Sequence, residues 1–98
     1  MTVKTRPFDP AEFINDDADV AAFIDASLEQ DDASELARSL GVIARARGMS
    51  QIARETGLSR EALYRALSET GNPELDTLLR VMKALRLKLS VSPANAAE

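Results

Sequence analysis

Residues 49–68 read MSQIARETGLSREALYRALS, and their spacing predicts two short helices joined by a sharp turn. Ser50 is a favoured N-cap type, so the first helix is expected to start after it. Ile52 and the small Ala53 would lie on its inner face, where a second helix can cross closely. Gly57 permits the positive φ that a turn of a few residues requires. This spacing is typical of a helix-turn-helix.

The second helix of this pair is expected to begin after Ser59, another N-cap residue, and to bury Leu63 and Leu67. In a helix-turn-helix that binds DNA, the second helix lies in the major groove. The outward positions of this helix are polar, and they are long enough to reach base edges or phosphates: Arg60, Glu61, Tyr64, Arg65 and Ser68.

Arg60 and Arg65 are the leading candidates for DNA contact, because a guanidinium can donate two hydrogen bonds to guanine, at O6 and N7, or can bind a phosphate. Alternatively, they are solvated or pair with Glu61 and Glu69, since Arg65 lies four residues from each acid. Glu61 can accept from cytosine N4. Tyr64 can donate to a phosphate or pack on a thymine methyl group, or its ring can shelter the helix–helix joint.

Four further residues are candidates for phosphate contact. Ser50 and Gln51 begin the first helix, where free N–H groups and the helix dipole attract an anion. Ser59 occupies the same place on the second helix. Capping alone also explains both serines. Arg54 lies on the flank of the pair and would add attraction to the phosphate backbone.

The charge of the chain is divided unevenly along its length. The 98 residues carry a net charge of −4 and are 45% hydrophobic, which is enough for one small domain. Residues 1–35 hold ten acidic and two basic side chains, and residues 36–98 hold six acidic and ten basic ones. This asymmetry indicates two surfaces with different partners, unless the acidic half is only a solvated face.

Cysteine and histidine are both absent from the chain. Their absence excludes a disulfide scaffold, a thiol nucleophile and a Cys/His zinc site. Catalysis would need carboxylates or lysines, and caps and solvated faces explain the acids. We therefore expect no enzyme activity, cofactor or metal site. The chain also lacks a long apolar run and an apolar signal-peptide core, so we expect a cytoplasmic protein with no membrane partner.

The pattern predicts three parts: an acidic N-terminal extension with short helices (1–31), a helix-turn-helix DNA-binding domain ending in a strand (32–92) and a disordered tail (93–98). In the extension, Asp9 and Pro10 should start a short turn, and a helix follows from Ala18 to Leu28. Asp32 and Glu35 form a D-x-x-E capping box that opens a helix running to about Arg47, where Gly48 ends it. The turn would carry Phe13 and Ile14, and the residues expected on the apolar faces of the two helices are Val20, Phe23, Ile24, Leu28, Leu36, Leu40, Ile43 and Ala44.

After the helix-turn-helix, Gly71 is expected to close the second helix, with Asn72 and Pro73 opening another as N-cap and first residue. That helix should run to about Leu85, and its inner face comprises Leu75, Leu78, Leu79, Met82 and Leu85. Beyond Arg86 the apolar residues alternate, which predicts a short β-strand with Leu87, Leu89 and Val91 on one side.

The predicted strand has no obvious partner within the chain. Its backbone N–H and C=O groups need hydrogen-bond partners, so the strand could pair with its copy in a second chain or with the sheet of a partner protein. Alternatively, it is an extended tail whose apolar side chains cover the core.

The run from Leu40 to Leu89 resembles the addiction-module antidote proteins, the HigA-like antitoxins, within the Cro/repressor-like helix-turn-helix superfamily. The region upstream, around Phe8 and from Leu28 to Asp31, also looks like this family, so the resemblance covers about residues 8–92. The most specific segments are ARARGM (44–49), TGLSRE (56–61), LYRALS (63–68) and GNP (71–73).

This resemblance implies an all-α, five-helix repressor-like bundle with an N-terminal helical extension and a short C-terminal strand. It also implies a homodimer that binds a palindromic operator in double-stranded DNA, represses its own operon and neutralises a small toxin protein, often with a RelE-like fold. The two half-sites of such an operator lie about 34 Å apart. Two alternatives are a stand-alone or phage-type regulator without a toxin, and a protein-interaction module whose helix-turn-helix does not bind DNA.

Overall fold

Five α-helices follow one another along residues 16–94, the part of the chain that the computed structural model describes. The expected turn at Phe13 and Ile14 and the end of the expected tail lie outside these residues. The regular secondary structure of this part of the chain is all helical, as expected. One of the five helices lies in the predicted N-terminal extension, and the other four lie in the predicted helix-turn-helix domain. The helices are α1 (Asp17–Leu28), α2 (Ala33–Arg47), α3 (Met49–Thr56), α4 (Arg60–Ala66) and α5 (Leu75–Ala84).

Aspartates cap the first two helices. The Asp16 carboxylate accepts from the Asp19 N–H at 2.9 Å, and the Asp32 carboxylate accepts from the Ser34 N–H at 2.9 Å. Asp32 is thus the N-cap that the sequence predicted. The expected capping box is wrong, because the Glu35 side chain accepts from Arg38 in a charge-assisted hydrogen bond.

One apolar core joins the five helices. α1 packs on α2, α2 packs on α3, and α3 contacts both α4 and α5. Between α1 and α2, the buried hydroxyls of Ser27 and Ser39 are hydrogen-bonded to each other. The buried apolar residues of the core are Val20, Ile24, Leu40, Ile43, Ala44, Met49, Ile52, Ala53, Leu63, Leu67, Val81, Met82 and Leu85.

The boundary between α2 and α3 differs from the prediction. Gly48 ends α2, as expected, but it is also the N-cap position of α3, which begins at Met49. Ser50 therefore lies within the first turn of α3 and does not cap it. The φ of Gly48 is 105°, a value that allows the chain to turn from one helix into the next without an intervening cap residue.

α5 begins later than predicted and presents a different face to the core. The ψ of Glu74 is 157°, so the backbone is still extended there and helical geometry starts at Leu75, not at Pro73. Leu75 and Leu79 are 65% and 46% exposed, in contrast to the prediction, whereas Val81 is fully buried. α5 has more apolar positions than one face can bury, and its packing against α3 selects Leu78, Val81, Met82 and Leu85.

The expected C-terminal strand does not form within residues 16–94. Leu87 packs against the core, and its N–H donates to the carbonyl oxygen of Met82 at 2.8 Å. Leu89 and Val91 are 43% and 96% exposed. A strand requires a neighbouring backbone, and five helices offer none. The alternative interpretation, a tail whose apolar residues cover the core, holds for Leu87 alone of the three.

Two glycines allow close packing around the end of α4. A Cβ atom on Gly41 would lie 2.6 Å from the carbonyl oxygen of Leu67, and one on Gly71 would lie 2.2 Å from that of Ala66. The prediction that Gly71 ends α4 is wrong, because Leu67 occupies the C-cap position. Gly71 instead lets the following loop pass against the last turn of α4.

Candidate nucleic-acid interface

The turn between α3 and α4 is made by the glycine that the sequence singled out. Gly57 has a φ of 78°, and its N–H donates to the carbonyl oxygen of Ala53 at 2.9 Å. The next N–H, on Leu58, reaches back to the same oxygen at 3.2 Å. This pattern closes the end of α3, and α4 begins three residues after Gly57, at Arg60.

A second set of contacts fixes the turn, and the sequence did not reveal it. The Thr56 hydroxyl donates to the Ala53 carbonyl oxygen at 3.1 Å and accepts from the Leu58 N–H at 3.3 Å. Arg80 of α5 donates to the Thr56 carbonyl oxygen at 3.2 Å and forms an ion pair with Asp76 at 3.1 Å. Arg80 is 24 residues from Thr56, so no local pattern could have indicated this contact.

α4 is held by its inner side chains and by its N-cap. Ser59 accepts from the Ala62 N–H at 3.0 Å, which confirms the predicted cap. Leu63 and Leu67 are 0% and 1% exposed, as expected. The opposite side of α4 is therefore turned to solvent. We call its four exposed residues the α4 surface: Arg60, Glu61, Tyr64 and Arg65.

The two arginines of the α4 surface form no ion pair within residues 16–94. Arg65 pairs with neither Glu61 nor Glu69, although the spacing permitted both. The guanidinium carbon of Arg60 lies 5.8 Å from the ring centroid of Tyr64, which places a cation beside an aromatic face. Both guanidinium groups can therefore accept an anionic partner without first losing an acidic one.

The N-terminus of α3 adds further polar groups beside the α4 surface. No side chain accepts a hydrogen bond from the first N–H groups of α3, so these donors have no side-chain cap. Ser50, Gln51 and Arg54 are exposed. The Gln51 amide donates to Glu55 at 3.1 Å. All eight residues that the sequence nominated are thus exposed on the α3–α4 unit: Ser50, Gln51, Arg54, Ser59, Arg60, Glu61, Tyr64 and Arg65.

Two arginines outside the α3–α4 unit, Arg47 and Arg38, have partners within the fold. Arg47 donates to Asp17 at 2.9 Å and to the Leu85 carbonyl oxygen at 3.3 Å, which ties α2 to α1 and to the end of α5. The hydrogen bond to Glu35 raises the pKa of the Arg38 guanidinium above its ordinary value. Arg60 and Arg65 differ from these two in having no ion-pair partner within residues 16–94.

We expect Gly57→Ala to lower the free energy of unfolding by about 1–2 kcal/mol, because an L-residue is strained at the left-handed φ of 78°. An added Cβ meets only the end of Arg80, at 3.8 Å, so the cost is conformational rather than steric. Gly57→Asn, which tolerates this φ better, should lose less. Thermal denaturation of both variants measures the difference, and an equal loss would contradict this account of the turn.

Two other kinds of site are not found in the described part of the chain. Residues 16–94 contain no group of three or more acidic side chains arranged to hold a metal ion. None of the five helices is both long and apolar enough to cross a membrane.

Comparisons with known proteins identify the family. A family model described as "probable addiction module antidote protein" matches residues 4–93. The chain is also 44% identical over 97 residues to an uncharacterized protein of Haemophilus influenzae, a match that covers 99% of this chain and all of that protein. No solved structure matches the chain. The match to the family model spans nearly the whole sequence, and the chain therefore belongs to the family of probable addiction module antidote proteins.

Proposed function

We propose that this chain is the antitoxin of a toxin–antitoxin module and that it represses its own operon by binding DNA through the α3–α4 unit. Membership of the antidote family supports the first part. The observation that carries the second is the pair of unpaired, exposed arginines on the α4 surface, Arg60 and Arg65. Their guanidinium groups have the geometry that reads guanine or holds a phosphate.

α4 is suited to be the helix that enters the major groove. Its inner side is anchored by Leu63 and Leu67, so its outer side can approach DNA without exposing the core. The turn at Gly57 is held by Arg80 from α5, which donates to the carbonyl oxygen of the preceding Thr56. A fixed helix-turn-helix lets several side chains contact base edges and phosphates at once.

The N-terminus of α3 would bind the DNA backbone. Its first N–H groups have no side-chain acceptor, and Ser50 and Gln51 lie beside them. A phosphate oxygen placed there would accept from these groups and gain from the helix dipole. Arg54, in the last turn of the same helix, adds a positive charge to this side of the unit.

We propose that the protein binds a palindromic operator as a homodimer. One copy presents few cations on the α3–α4 unit, and the whole chain carries a charge of −4, so a single copy would be only weakly attracted to DNA. Two copies that bind half-sites about one helical turn apart would combine their contacts.

Binding to the DNA upstream of the chain's own gene tests the repressor role. Fluorescence anisotropy should show tighter binding to that duplex than to a scrambled one by about 10³-fold, with two chains per duplex. The logarithm of the binding constant should fall linearly with the logarithm of salt concentration. Equal affinity for both duplexes would overturn sequence-specific repression.

Co-expression tests the antitoxin role. We expect the product of the adjacent gene to arrest growth when it is produced alone, and this chain to restore growth and to co-purify with that product. An adjacent product whose toxicity persists in the presence of this chain would refute the proposal, whatever the DNA-binding result.

A further inference from the structure

A groove of about 290 Å³ lies between α1 and the segment that follows α5. Ile24 of α1 and Met82 of α5 line it and are almost fully buried, so they form its floor. Leu28 and Leu89 stand on its two sides and are 38% and 43% exposed. The groove thus joins buried core to exposed apolar side chains in one concave surface, which is typical of an interaction site.

The segment along one side of this groove has an unused backbone. No backbone–backbone hydrogen bond within the described chain involves residues 88–93, which belong to neither a helix nor a strand. Val91 is 96% exposed, and with Leu28 and Glu29 it lines a second depression that continues from the groove. An exposed segment whose backbone groups are unpaired can pair with a strand of another protein, while its apolar side chains rest on that protein.

The α1 side of the groove is acidic, because Asp25 lines the groove and Glu29 lines the depression beside it. Residues 16–32 contain seven carboxylates and no basic side chain. Asp25 and Glu29 are one turn apart on α1, are exposed and form no ion pair within residues 16–94. Lys88 is the one cation that lines the groove, on the side away from α1. A partner that supplies basic side chains would therefore be favoured along α1.

We infer that this groove binds the toxin, through an extended apolar segment of the toxin flanked by lysine or arginine side chains. This inference rests on the antitoxin half of the proposed function and not on DNA binding. A second copy of this chain fits less well, because a symmetric contact would bring two acidic α1 helices together. None of the residues that line the groove belongs to the α3–α4 unit, so toxin and operator can be bound at the same time.

Charge reversal at the groove tests the inference with the purified chain and the purified product of the adjacent gene. Asp25→Lys/Glu29→Lys should weaken binding to that product by about 100-fold, because repulsion replaces attraction. The matched control is Glu69→Lys/Glu74→Lys, which changes the net charge equally on exposed positions outside both the groove and the α4 surface and should bind the product as the original chain does. Isothermal titration calorimetry measures all three affinities.

A second variant separates the groove from the effect of charge alone. Leu89→Ser/Val91→Ser removes exposed apolar side chains that lie outside the buried core, so it should remain folded and keep its affinity for DNA. We expect it to bind the adjacent gene product about 10-fold more weakly.

The outcomes are distinguishable. If the original chain does not bind the product, the antitoxin role fails and the inference fails with it. If the original chain binds and both groove variants bind equally well, the inference alone is overturned. If the groove variants alter the oligomeric state of the free chain in sedimentation but not its affinity for the product, the groove contacts a second copy of the chain. That result would also overturn the inference.

Discussion

Replacing Arg60 and Arg65 together with alanine should remove most of the affinity for the operator while leaving the fold intact. Each bidentate contact from arginine to a base contributes about 1–3 kcal/mol of discrimination, so losing two should weaken specific binding at least about 30-fold. Both side chains are exposed and neither has an ion-pair partner within residues 16–94, so the free energy of unfolding should change by no more than about 0.5 kcal/mol.

A charge-matched variant shows whether the effect is local. Arg38→Ala/Lys88→Ala also removes two positive charges, but Arg38 is paired with Glu35 on α2 and Lys88 follows α5. It should lose only the small share of affinity that depends on net charge. Similar losses for the two double variants would mean that the α4 surface does not contact DNA.

A single conservative change then identifies the kind of contact. Lysine keeps the charge of Arg65 but lacks the planar fork of donors. If Arg65 pairs with a base, Arg65→Lys should lose the preference for the operator over a scrambled duplex. If it holds a phosphate, both affinities should fall slightly and together.

The α3–α4 unit was predictable from sequence because its determinants are local. Gly57 is required by a positive φ, Ser59 caps the next helix, and Leu63 and Leu67 lie one turn apart on one face. Each of these signals depends on residues within about one turn. Exposure of the candidate DNA contacts followed from the same pattern, since the outward positions of α4 are defined once its inward ones are known.

Features that depend on distant contacts were not predictable. α5 has apolar residues on two faces, and only its packing on α3 decides that Val81 is buried and Leu79 is not. The N-cap role of Ser50 failed because Gly48 both ends α2 and begins α3. The alternating residues after Arg86 have strand periodicity, yet the described helices provide no backbone with which they could pair.

Leu63→Ala should produce the largest loss of stability among changes on the α4 helix. Leu63 is completely buried and lies in the core shared by all five helices, and truncating such a residue costs about 2–5 kcal/mol. A domain of this size has a total stability of roughly 5–15 kcal/mol. Since each kcal/mol shifts Tm by about 4–8 °C, we expect Tm to fall by more than about 8 °C.

The neighbouring position provides a matched control. Tyr64→Ala removes a larger side chain from the same helix, but Tyr64 is 42% exposed and should cost no more than about 1 kcal/mol. Calorimetry of the two variants therefore separates docking of α4 from its helix propensity. α4 has only 7 residues, and isolated helices shorter than about 12 residues are marginal in water, so it depends on this docking to remain helical. Leu63→Ala should accordingly weaken operator binding even below its Tm, although Leu63 touches no DNA. If both variants lost stability equally, Leu63 would not be the anchor of α4, and the proposed rigid presentation of Arg60 and Arg65 would lose its physical basis.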